Sequence, residues 1–175
     1  MRTGYFLGQW KVSQIITTLK SGKPAEEVTS YRPISLLPIL SKLFEKLFLT
    51  RIKLILQEIR VIPDHQIVFR QKHTTTEQVH HIANAINKAL ESNIYCRAAL
   101  LDISQAFDKV RHEELLYKIK TLFADSIYKI LKSYPENRYF LLKYREEYTS
   151  LHPVLSGVPQ GSVLGPLLYL LYTAD

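Results

Sequence analysis

The stretch from Leu40 to Ile59 constrains the fold most. Leu40, Leu43, Phe44, Leu47, Phe48, Ile52, Ile55, Leu56 and Ile59 recur at three- and four-residue steps, while Lys42, Glu45, Lys46, Lys53, Gln57 and Glu58 fill the other face. Steps of that size place one set of side chains along one side of an α-helix. The spacing predicts an amphipathic helix of about five turns. Pro38 is tolerable in its first turn, where no helical hydrogen bond is lost, and Pro63-Asp64 closes the segment. One apolar side demands a core to lie against. With 175 residues, 46% hydrophobic and 22% charged, the chain can build one and is too apolar to be disordered. Its length fits one domain, or one and a fraction.

Composition also excludes several classes. A single cysteine can form neither an intramolecular disulfide nor a cysteine-based zinc site, so no disulfide partner is implied. The default is a reducing, intracellular compartment; nucleus and cytoplasm are not distinguishable from the sequence. The longest apolar stretch, Leu164 to Tyr172, falls short of the ~20 residues of a membrane helix, and no membrane partner is expected. The first residues lack the apolar segment of a signal peptide. The net charge of +7 is unevenly spread. Residues 1–72 carry 12 basic and 5 acidic side chains, whereas residues 73–175 carry 11 of each. A basic part joined to a neutral one fits a polyanion partner, nucleic acid above all; a solvated basic surface is the plainer reading.

Further along, Gln9 to Leu19 reads as a strand or short extended segment, and Ser21-Gly22-Lys23-Pro24 as a turn. Residues 66–72 read as a short strand or loop. Thr74-x-x-Glu77 is a capping box opening a second helix, with Val79, Ile82, Ala83, Ile86 and Leu90 on one face. Residues 95–103 have the signal of a buried strand ending in an acid. His112 to Lys120 and Ser126 to Ser133 are helical by period. Tyr139 to Tyr144 and Tyr148 to Leu155 read as paired strands, and Gly157 to Gly161 as a loop before an apolar helix from about Ser162. Mixed helices and strands of this order predict an α+β architecture.

Three places could carry chemistry. Asp102 follows the apolar run Ala98 to Leu101. A carboxylate at the end of a buried strand is costly unless it is paired or binds a hard cation such as Mg²⁺; it could equally cap the following turn. Ser156-Gly157-Val158-Pro159-Gln160-Gly161-Ser162-Val163-Leu164-Gly165-Pro166 is a tight turn, allowing close backbone approach, that opens a helix. Phe69-Arg70-Gln71-Lys72-His73 sets two fixed cations beside a helix start. Phosphate is the natural partner of a positioned arginine, and a solvated basic loop is the alternative.

Taken in order, these stretches resemble a known family. Tyr31-Arg32-Pro33-Ile34-Ser35-Leu36-Leu37, Lys42-Leu43-Phe44-Glu45-Lys46, Phe69-Arg70, Leu101-Asp102-Ile103-Ser104-Gln105-Ala106-Phe107-Asp108-Lys109-Val110 and the Gly157–Pro166 loop follow one another as in the reverse transcriptase domain of non-LTR retrotransposons, most closely the jockey-like elements. The resemblance runs from about Gly4 to Asp175. It implies a right-hand polymerase fold, with residues 1–93 as fingers and connection to the palm, residues 94–175 as a partial palm, and the thumb absent. It implies RNA-directed DNA synthesis on an RNA template, from a DNA primer and deoxynucleoside triphosphates, with two Mg²⁺ ions in the complete enzyme. By the same resemblance Asp102 is the first catalytic aspartate and a metal ligand, and Ile103 can offer its carbonyl oxygen to a metal. Phe107 lies under the incoming sugar and excludes a 2′-hydroxyl. Gln160 lies beside the incoming nucleotide and template, and Arg70 against its triphosphate. Asp108 is expected to be structural, bonding backbone or a nearby cation.

The sequence departs from the family's pattern in places. The palm motif aromatic-Ala-Asp-Asp, which supplies the second catalytic aspartate, is not present. Tyr172-Thr173-Ala174-Asp175 resembles it but has one aspartate, 14 residues after Gly161, at the end of the helix that follows the glutamine loop. Asp175 is therefore not assigned a catalytic role. Ile67-Val68 stands where the family has Phe-Gly, and Arg111 where it has Trp. These features fit a fragment or a decaying copy. The expectation is an incomplete active site, an incomplete palm sheet and no polymerase activity from this polypeptide alone. The alternative is a catalytically dead remnant that still binds nucleic acid.

Overall fold

The strand β1, Val12–Leu19, has partners on both sides and organises the sheet. A computed structural model describes residues 4–59, 61, 75–144 and 146–174. On one side β1 runs antiparallel to β2, Tyr31–Leu36, in a register from Gln14 opposite Leu36 to Leu19 opposite Tyr31. The connecting turn falls at Ser21–Pro24, with Gly22 at φ +73° and the Lys23 amide donating to the Lys20 carbonyl. On the other side β1 runs parallel to β3, Tyr139–Tyr144, with Val12 opposite Tyr139. β3 also pairs antiparallel with β4, Glu147–Tyr148, and with β5, His152–Pro153. The result is a mixed sheet in a chain of mixed helix and strand.

The chain divides into two compact units, residues 1–61 with 105–175, and residues 62–104. The first holds the sheet and four of the helices: α1 (Ile39–Ile59), α3 (His112–Leu122), α4 (Asp125–Ser133) and α5 (Gly165–Thr173). α1 has the predicted position, but its buried stripe is Ser41, Glu45, Phe48, Ile52 and Leu56. Leu40, Leu43 and Leu47 face outward at 53–63% exposure. Glu45, expected on the polar face, is fully buried. The helix has more apolar residues than one face can bury, so tertiary contacts select the stripe.

An aromatic cluster joins α1 to the N-terminal segment and α4. Phe6 meets Trp10, Phe44 and Tyr134 edge-on at centroid distances of 5.0–5.7 Å, and Phe44 stacks on Phe48. Such geometries add to the gain from apolar burial. α3 packs against α4 and α5, burying Leu115 and Ile119. α5 buries Leu167, Leu168, Leu170 and Leu171. Its C-terminal end is capped by Lys118, whose Nζ donates to the carbonyls of Tyr172 (2.7 Å) and Ala174 (3.2 Å), where a cation also complements the helix dipole.

The second unit contains α2, Thr75–Glu91. The capping box begins at Thr74, outside the described residues. At its far end Asn93 adopts φ +51°, with its amide donating to the Leu90 carbonyl and the Ile94 amide to the Ala89 carbonyl. This is a Schellman closure, with asparagine in the left-handed position that glycine usually takes. The face predicted to be apolar is exposed, with Val79 at 64% and Leu90 at 68%. The buried strand predicted over residues 95–103 is not formed. The segment is exposed, and it pairs with no strand among the described residues. An apolar run creates a demand for ladder partners and a covering layer, but it does not supply them.

Candidate functional site

The loop Gly157–Gly161 is held from three directions. Two holds come from the turn around Phe107: the Gly157 amide donates to the Val110 carbonyl (2.8 Å), and the Val158 amide to the Phe107 carbonyl (2.9 Å). His112 Nε2 lies 2.8 Å from the Gly157 carbonyl, and Ser156 Oγ donates to the Asp108 carbonyl (3.1 Å). The second direction is the sheet, where the Ser35 amide of β2 donates to the Gln160 carbonyl at 2.7 Å. The third is α1. Glu45 Oε2 accepts the amides of Val163 (2.8 Å) and Leu164 (3.0 Å), while Oε1 accepts the Ser41 hydroxyl (3.1 Å).

Two of the glycines are dictated by this crowding. Gly157 has φ +86°, and a Cβ there would meet the Asp108 Cα at 2.8 Å. Gly161 has φ +117°, and a Cβ there would meet the Ser35 carbonyl oxygen at 2.7 Å. Both positions combine a backbone conformation that costs other residues strain with a neighbour that is itself backbone.

At the start of α5 side chains take the free amides of Val163, Leu164 and Gly165. Glu45 takes those of Val163 and Leu164, the Ser162 hydroxyl takes that of Gly165 (2.9 Å), and Pro166 has none. Such bonds meet the need of a helix start, whose first amides have no partner within the helix.

Phe107 is half-buried, and its ring stacks on Tyr169 of α5 with centroids 5.0 Å apart and planes 18° from parallel. Asp108 contributes through its backbone. Its amide donates to the Gln105 carbonyl and its carbonyl accepts Ser156. Partial burial pushes its carboxyl above the usual carboxylate range. Beside the loop opens a cavity of about 310 Å³ whose walls include Ser13, Ser35, Asp108, Arg138 and Gln160. Arg138 is buried at 2% exposure. Its Nε donates to the Tyr134 carbonyl (2.7 Å), and its guanidinium carbon lies 4.2 Å from the Tyr134 ring centroid.

The structure thus brings together two of the residues singled out from the sequence, Phe107 and Gln160. Asp102 and Ile103 belong to the other compact unit, where both are exposed. Arg70 lies outside the described residues. Among the described residues no three His, Cys, Asp or Glu side chains gather as a metal site, and no helix is long and apolar enough to cross a membrane. Glu45 is the residue that sequence reasoning missed. A signal existed: stepping back from Leu56, Ile52 and Phe48 by the same helical intervals leads to Glu45 and Ser41.

Comparison with known proteins gives one consistent result. Residues 19–175 match the family described as Reverse transcriptase (RNA-dependent DNA polymerase). The chain is 49% identical over 175 residues to the probable RNA-directed DNA polymerase from transposon BS of Drosophila melanogaster, and 46% identical over 175 residues to that from transposon X-element of the same organism. It is 45% identical over 172 residues to the RNA-directed DNA polymerase from mobile element jockey. These matches cover 98–100% of this chain and 19% of each relative.

Proposed function

The chain belongs to the reverse transcriptase family, and from that premise we propose that it is the portion of a transposon-type RNA-directed DNA polymerase that receives the incoming deoxynucleoside triphosphate. In this reading residues 1–93 are fingers and residues 94–175 are part of the palm. The basic residues 1–72 meet the phosphates of RNA template and DNA primer, contacts that supply affinity rather than sequence readout. Phe107 is the platform under the sugar. Gln160 lies against nucleotide and template, and Arg70 pairs with the triphosphate.

The observation that carries the reading is the stitching of the Phe107 turn to the Gln160 loop. Two residues 53 positions apart are tied through the Val158–Phe107 and Gly157–Val110 hydrogen bonds. Tyr169 supports the Phe107 ring from α5. An aromatic ring fixed by stacking yields little, so an added oxygen atom on a sugar would overlap it at a cost.

Asp102 and the Ile103 carbonyl are the donors that this reading assigns to Mg²⁺. One carboxylate and one neighbouring carbonyl do not fit a two-ion centre by themselves; they amount to a share of one. What the chain's own residues do is bind the nucleotide, orient it and exclude the 2′-hydroxyl.

The test is an equilibrium titration of the chain on an RNA-template, DNA-primer duplex with dATP and with ATP. Wild type should prefer dATP, and Phe107→Ala should erase most of that preference by admitting ATP. Equal affinity of wild type for the two nucleotides, or binding of neither, rejects the reading.

A further inference from the structure

Glu45 is a buried carboxylate on a helix far in sequence from the Gln160 loop, and neither the family resemblance nor the proposed nucleotide contacts give it a task. Burying a carboxylate is costly unless its oxygens are hydrogen-bonded. Here three donors satisfy it: the amides of Val163 and Leu164, and the Ser41 hydroxyl. Two of those donors begin three residues after Gln160. The anchors at Phe107, Val110 and Ser35 act through backbone carbonyls and amides, and the His112 side chain meets the loop at its entrance, on the Gly157 carbonyl. Glu45 holds the exit of the loop through a side chain, and it does so with charge-assisted bonds at a helix N-terminus, where a negative charge is favoured.

We propose that Glu45 is the positioning residue of the nucleotide site: by fixing Val163 and Leu164 it sets where Gln160 lies against the incoming deoxynucleoside triphosphate. The role rests on the reading of Gln160 given above. Ser41 orients the carboxylate from one turn earlier on α1, so the Ser41–Glu45 pair carries the placement from that helix to the loop. Glutamine at this position could keep the arrangement, with its amide oxygen toward the two backbone amides and its NH₂ toward the Ser41 hydroxyl. Alanine could not, and aspartate would fall one methylene short.

Two readouts on the whole chain separate the possibilities. The first is hydrogen exchange at the Val163 and Leu164 amides. Glu45→Ala and Glu45→Asp should each speed exchange there about tenfold, the equivalent of one charge-assisted bond, with β1 and β3 amides unchanged; Glu45→Gln should stay near wild type. The second is dATP affinity on an RNA–DNA primer–template, which should fall about tenfold in the same two variants and be kept by Glu45→Gln. Ile130→Val in α4, which trims the core elsewhere, should move neither readout. If Glu45→Ala fails to fold, Glu45→Asp decides. Unchanged exchange in the variant that folds overturns the clamp. Faster exchange with unchanged dATP affinity overturns the positioning role and leaves the nucleotide reading standing. A wild-type chain that binds no dATP overturns the nucleotide reading, and the positioning role with it.

Discussion

Gly157–Gly161 and Ile94–Ile103 reached opposite ends from opposite compositions. The first has few side chains that gain by burial, yet backbone partners from the Phe107 turn and β2 hold it, and Glu45 pins the residues that follow it. The second carries Ile94, Tyr95, Leu100 and Leu101, and all four are more than half exposed. Order at the candidate site therefore comes from partners distant in sequence and not from local apolarity. What the first segment has, and the second lacks among the described residues, is a set of acceptors and donors already fixed by other elements.

The comparison can be broken most forcefully at Gly157. Gly157→Ala drives a Cβ into the Asp108 backbone at a position with φ +86°, and should cost about 3 kcal/mol of stability in urea denaturation. A loss below about 0.5 kcal/mol would show that the loop and the Phe107 turn separate freely.

A smaller effect tests the cost of burial in the ordered unit. Lys11 is 3% exposed, its Nζ donating to Ser133 Oγ. Burial first, and the nearby Arg138 charge second, hold its ammonium below the ordinary value of 10.5, with Glu136 opposing them. The unfolded chain keeps that proton up to about 10.5, while the folded chain releases it earlier. Between those points the unfolded state binds more protons, so stability rises with pH. Urea curves from neutral pH to 10.5 should show wild type gaining on Lys11→Met as pH rises. Arg97→Met, at an exposed site in the second unit, should show no such trend. Parallel pH profiles for Lys11→Met and wild type would remove the buried charge from the account.

The smallest effect belongs to the segment that pairs with no strand among the described residues. Leu101 is 94% exposed, so Leu101→Ser should change stability by less than about 0.5 kcal/mol. A larger loss would mean that a covering surface reaches it.

Much of the fold was legible because it is local. The periods of Leu40–Ile59, His112–Lys120 and Ser126–Ser133 predicted α1, α3 and α4, and the paired strands around residues 145–147 were found as β3 with β4 and β5. The glycine loop was legible because its residue types admit few backbones. Glu45 was not, because its polarity points to the wet face while its helical phase matches Phe48, Ile52 and Leu56. The strand over residues 95–103 failed for the converse reason. An apolar composition does not say which strand will pair with it, and ladders are non-local. β2 went unpredicted because Pro33 and the polar residues around it mask a strand that its neighbour β1 organises.

The parallel pairing of β1 with β3 has a consequence for synthesis on the ribosome. β1 can fold back on β2 as soon as Leu36 emerges, but its other edge waits for Tyr139. At about 5–20 residues per second, the roughly 120 residues between Leu19 and Tyr139 take on the order of 6–24 s to translate. For that interval the nascent chain presents an unpaired strand edge to its surroundings, the kind of template on which chains aggregate. A chaperone that shields the β1–β2 hairpin during elongation would act where this topology is most vulnerable, and slowing translation upstream of β3 would lengthen the exposure.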